Sequence, residues 1–111
     1  MATISNLFVD QGSDYATVIT VLTGSNTPLD LVGYTVKSQM RKSYSSSQAF
    51  NFTTSLFDAS NGKVKLALTA VQSAEIPAGR WLYDVEITSP IGAKKRVVEG
   101  IVTVTPQITQ T

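Results

Sequence analysis

The sequence predicts an all-β fold, a two-sheet sandwich of about seven antiparallel strands with one short helical crossover. Three observations predict it. From Arg80 to Thr88 the chain alternates, with Trp81, Tyr83, Val85 and Ile87 on one face and Asp84 and Glu86 on the other, the pattern of a half-buried strand. After a short turn, Lys94 to Thr105 is again rich in β-branched residues and completes a hairpin. Turn signals such as Asp10-Gln11-Gly12-Ser13-Asp14 and Asn61-Gly62 divide the rest of the chain into short extended runs.

The elements follow in order. A first strand is expected from Ile4 to Val9 and a second from Tyr15 to about Leu22. The second has apolar residues on both faces, Val18 and Leu22 against Ile19 and Val21, which predicts a central strand covered on both sides. The loop Thr23 to Pro28 and the segment Leu29 to Gly33 lead into a third strand, Tyr34 to Lys42. There Tyr34, Val36 and Met40 form the core-facing set. A polar serine-rich loop spans residues 43–48. Ala49 to Phe57 is expected as a fourth strand and Lys63 to Leu68 as a fifth, with Val64, Leu66 and Leu68 inside and the lysines outside. Thr69 to Ile76 is the one helical candidate: Thr69 caps it, and Pro77 and Gly79 end it. The hairpin supplies strands six and seven, with Val102 on the core side of the seventh. Pro106 ends the sandwich, and 107–111 is a polar tail. Seven short strands separated by turns point to the immunoglobulin-like type of antiparallel β-sandwich.

Composition narrows the function. The 111 residues suit one domain, expected over 1–106. Histidine and cysteine are both absent, so disulfides, thiolate chemistry, the usual zinc sites and histidine-based triads cannot be built within the chain. Nine basic against eight acidic residues give a net charge of +1, without the basic excess of a nucleic-acid binder. No run of about 18 apolar residues predicts a membrane helix, and the first residues carry no secretory-signal pattern.

Few residues suggest chemistry. Asp10 to Asp14 superficially resembles a calcium loop but lacks its ligand spacing, so a turn with capping carboxylates is expected. Asp84 and Glu86 face outward. Either they pair across the hairpin with Arg96, Lys94 or Lys95, or they form a contact surface for another subunit, and the two readings are compatible. Trp81 and Tyr83 suit stacking on sugars, but aromatics on the apolar face of an alternating strand belong to the core. Tyr83 is also placed to direct its hydroxyl to a backbone group near the crossover. Tyr44, in the serine loop, is the other aromatic open to a glycan. Lys37, Arg41 and Lys42 read as a solvated basic stripe. No phosphate loop and no nucleophile with a base is visible, so no catalytic, cofactor or metal residues are assigned and no enzyme is expected.

The ordered segments also carry a resemblance. Asn6-Leu7-Phe8-Val9-Asp10-Gln11-Gly12-Ser13-Asp14-Tyr15 opens the chain, followed by Pro28-Leu29-Asp30-Leu31-Val32-Gly33-Tyr34-Thr35-Val36 and Met40-Arg41-Lys42-Ser43. Then come Asn61-Gly62-Lys63-Val64, Leu68-Thr69-Ala70, Pro77-Ala78-Gly79-Arg80-Trp81-Leu82-Tyr83-Asp84-Val85, Arg96-Val97-Val98-Glu99-Gly100 and Val104-Thr105-Pro106. In order and spacing these resemble a family of small tailed-bacteriophage virion proteins. The family is similar to the immunoglobulin-like N-terminal domain of phage baseplate upper proteins, and it occurs also as short stand-alone proteins in phages of cyanobacteria. The resemblance covers nearly the whole chain and implies a virion building block rather than a catalyst, working with other virion proteins. Assembly in the host cytoplasm is expected from the missing signal pattern, and a homo-oligomer as the usual way to use one short chain in a large particle. A capsid decoration protein and a module binding host-surface glycans are the alternatives. On this reading the candidate interface comprises Ile4, Leu7, Leu82, Asp84, Glu86, Arg96, Val97 and Ile101.

Overall fold

The computed structural model describes residues 3–23, 27–43 and 48–106. Over these residues the strands are β1 (Thr3–Ile4), β2 (Leu7–Asp10), β3 (Tyr15–Thr20), β4 (Thr35–Arg41), β5 (Ala49–Asn51), β6 (Thr53–Asp58), β7 (Lys63–Leu68), β8 (Gly79–Thr88) and β9 (Lys94–Thr105). A single-turn helix, α1 (Ala70–Ala74), joins β7 to β8. The expected all-β sandwich is the fold observed. The larger sheet runs β1-β9-β8-β4-β5 with β2 also paired to β9, and the smaller runs β3-β7-β6. In immunoglobulin terms the smaller sheet is B-E-D and the larger C′-C-F-G, with the first strand laid beside G. Residues 24–26 of the first loop, residues 44–47 of the serine loop including Tyr44, and the 107–111 tail fall outside the described residues.

Period-2 alternation builds the core between the sheets. Trp81, Tyr83, Val85 and Ile87 point inward from β8, Val98, Val102 and Val104 from β9, Val64, Leu66 and Leu68 from β7, and Met40 from β4; all are buried. Tyr34 and Val36 are half-buried against this cluster. Phe50 meets Trp81 edge-on with ring centroids 5.4 Å apart, and Phe52 meets Tyr83 at 6.1 Å and Tyr15 at 6.4 Å. Phe52 thus links aromatic side chains of both sheets.

Four features differ from the sequence reading. The second strand is an edge rather than a centre: among the described residues β3 pairs with β7 alone, and Val18, with Leu22 just beyond the strand's end, stands exposed. The fourth strand divides, because at Phe52 the chain leaves the larger sheet, donating its N–H to the Ser38 carbonyl at 3.0 Å, and continues in the smaller one. The first strand is interrupted at Ser5-Asn6, although both halves hold one parallel register on β9. Finally, Leu7 is buried, and Val97 is partly buried and leans on the core rather than standing with the outer face. Ile4 and Leu7 lie three apart on one extended segment, which places them on opposite faces; Ile4 is outside, and Leu7 is buried opposite Val102. Val97 is the extra residue of a bulge between the pairs Val85–Val98 and Glu86–Arg96, and it packs partly buried against the core.

Candidate functional site

The outer face of the larger sheet collects most of the expected interface residues. On β8, Leu82, Asp84 and Glu86 alternate with buried neighbours and so point outward. Across the hairpin, Leu82 stands opposite Ile101 and Asp84 opposite Glu99. Ile4, on β1, is also paired to Glu99. Ile4 is 73% exposed and Ile101 37%. With Leu82 they form an apolar strip beside Asp84, Arg96 and Glu99, and these six residues line a depression of about 510 Å³. Glu86 sits one register step further along, outside that depression, beside Lys37 of β4.

The charged rim is arranged by the bulge. Asp84 and Glu99 are directly opposed like charges, a destabilising cross-strand pair on its own. Arg96 offsets this repulsion, with its Nε 3.2 Å from an Asp84 carboxylate oxygen and its Nη1 3.3 Å from Glu99. The extra residue Val97 shifts the β9 register at this point, so Arg96 projects on the same face as both acids. Burial pushes the Asp84 carboxyl above its ordinary range, and Glu86 and Glu99 push in the same direction against the pull of Arg96. Lys94 and Lys95 lie opposite Thr88 and Ile87, nearer the turn.

Phe8 is the residue that the sequence reading passed over. It is 71% exposed on β2, opposite Thr103, and extends the apolar strip beyond Ile101. Its signal was alternation: Leu7 and Val9 point inward on either side of it.

The remaining candidates are structural. Trp81 is buried and donates its indole N–H to the Pro77 carbonyl at 2.9 Å, so it offers no stacking platform. The Tyr83 hydroxyl donates to the Ser5 carbonyl at 2.5 Å, and therefore ties down the N-terminal segment rather than the crossover. Burial raises the pKa of this phenol. Lys42 turns out of the basic stripe, placing its ammonium 5.1 Å from the Trp81 ring centre and donating to the Arg80 carbonyl. In the first turn, Asp14 accepts a hydrogen bond from the Ala70 N–H at 2.7 Å, and Asp10 accepts one from the Thr105 hydroxyl at 2.7 Å. Both carboxylates are thus used as caps and ties. Among the described residues no three side chains cluster as metal ligands, and no helix is long and apolar enough to cross a membrane.

No family model and no curated protein matches the sequence. Solved structures similar to the chain include one in the complex of ICOS with ICOS-L and an anti-ICOS-L VNAR domain. That chain is 13% identical with a TM-score of 0.47, over 96% of this chain and 56% of its own length. Another is AggA, the major subunit of aggregative adherence fimbriae type I from Escherichia coli, 12% identical with a TM-score of 0.43, over 94% of this chain and 91% of that one.

Proposed function

We propose that this chain is a non-enzymatic structural component of a bacteriophage virion, a tail, baseplate or fibre-attachment module that acts through protein–protein assembly. The observation that carries the assembly role is the outer face of the larger sheet. It places Ile4, Leu82 and Ile101 in a shallow depression with Asp84, Arg96 and Glu99 at its side. An apolar centre with a charged rim is the composition of a protein interface. The mixed signs of that rim suit another protein better than a phosphate backbone. The ordered resemblance to small virion proteins supports the particle as its location.

The test is direct. Particles purified from a lysate in which the gene is expressed should contain the chain at a fixed copy number, as measured by quantitative mass spectrometry. Ile101→Asp should remove it from the particle while leaving its far-UV circular dichroism unchanged. Wild-type chain found only outside particles would refute the virion role, and normal incorporation of the variant would refute the surface.

A further inference from the structure

Among the described residues the two sheets end in four outer edges, and three are blunted. β5 has three residues, β6 carries a register irregularity around Phe57, and β1 and β2 are separated by the break at Ser5-Asn6. β3 differs. It runs unbroken from Tyr15 to Thr20, pairs with β7 without a register shift, and contains neither a charged residue nor a proline. Natural sheets guard such edges with charge, proline, a bulge or brevity, and β3 has none of these. The Val21 N–H is bonded to the Gly62 carbonyl, on the β7 side. Alternation along an antiparallel strand then turns the N–H and C=O groups of Ala16, Val18 and Thr20 to the open side.

We infer that β3 is a self-association edge, at which a second copy of the chain lays its own β3 antiparallel about a two-fold axis through Val18. The two smaller sheets then become one six-stranded sheet. The register centred on Val18 sets it opposite Val18 of the second copy and sets Ala16 opposite Thr20 of the second copy. Each of these residues offers one donor and one acceptor across the seam, so the contact is isologous and closes as a dimer. Charge permits this occupant. β3 is neutral, so no like charges meet at the seam. The nearest cations, Lys63 and Lys65, lie one strand back. The two copies of Lys65 would be separated by three strand spacings, about 14 Å, beyond the screening length of about 10 Å in 0.1 M salt. A strongly charged peptide strand would find no countercharge on β3 itself. This edge belongs to the smaller sheet, so its behaviour is separable from that of the face around Ile101.

The test uses the full chain in sedimentation and amide hydrogen exchange at rising concentration. Mass should climb from monomer towards dimer, and the amides of Ala16, Val18 and Thr20 should gain protection together. Val18→Pro removes an N–H from the open side only, and Val18→Lys places a charge at the seam. Each should weaken association about tenfold or more, whereas Ile101→Asp should leave the dimer constant unchanged. The lysine variant keeps the test valid if the proline variant misfolds. A wild-type chain that stays monomeric at about 1 mM, or a dimer indifferent to Val18→Lys, overturns the inference.

Discussion

A β-carbon on Gly100 would collide with the Ser5 carbonyl oxygen. Gly100 is therefore glycine for room, because the N-terminal segment crosses β9 at that point with its backbone in contact. The same crossing is stitched by Ser5 N–H to the Glu99 carbonyl at 2.9 Å and by the Asn6 side chain, which accepts from the Ile101 N–H at 3.1 Å. Gly100→Ala should cost about 1–3 kcal/mol, the range for overpacking. A urea midpoint equal to wild type would show that the segment shifts freely. The second residue-scale prediction concerns Asp84, whose pKa is raised chiefly by burial. An acid held above its unfolded pKa binds more protons when folded, so this group's contribution to stability is complete below the unfolded value. It is lost as pH rises through the folded value. Arg96 pulls that value back down. Arg96→Gln should therefore raise the Asp84 pKa further and widen the pH window of this loss. A carboxyl NMR titration that moves downward or not at all contradicts the assigned electrostatics.

At the scale of elements, α1 shows how a helix of five residues persists. So short a helix has no stability of its own. Its N-terminus is held three times: the Thr69 hydroxyl accepts from the Gln72 N–H at 3.2 Å, the Gln72 side chain accepts from the Thr69 N–H at 2.8 Å, and Asp14 accepts from the Ala70 N–H at 2.7 Å. Thr69→Ala should cost about 1 kcal/mol. The loss should show as a lower thermal midpoint, and an unchanged midpoint would mean that Asp14 suffices. This element was legible because its signals are local: Thr69 and Gln72 sit at cap spacing, and Pro77 follows. β7 and β8 were legible for the same reason, since alternation is written along each strand. The edge position of β3 was not, because the pattern of Val18 and Leu22 against Ile19 and Val21 records polarity on two faces without recording whether a neighbour covers either. Nor was the division at Phe52. Its ring belongs to the core shared by both sheets, and which sheet each half joins depends on Ser38, fourteen residues earlier. The interface face was half legible: Leu82, Asp84 and Ile101 followed from alternation, whereas Val97 depended on a bulge that no residue announces.

The whole molecule is closed by its own beginning. β1 and β2 run parallel to β9, pairing residues some 95 positions apart in sequence, from Thr3–Val98 to Asp10–Thr105. This closure does two things. It buries Leu7 and Val9 against the core, and it occupies the outer edge of β9, which is otherwise a twelve-residue exposed template for aggregation. Burying two aliphatic side chains stabilises by about 3–6 kcal/mol. That is a large share of the roughly 5–15 kcal/mol that holds such a domain. Removing residues 1–10 should therefore leave the chain largely unfolded or aggregating at concentrations where the full protein is clear, although seven of the nine described strands are intact in sequence. Leu7→Ala combined with Val9→Ala separates the two contributions, since it keeps the edge covered while deleting the buried side chains. If burial dominates, the double variant should unfold at a much lower urea concentration without precipitating, with Trp81 fluorescence and far-UV circular dichroism changing together because one core joins both sheets. A truncated chain that keeps the wild-type urea midpoint would mean that the sandwich is complete without its first strand.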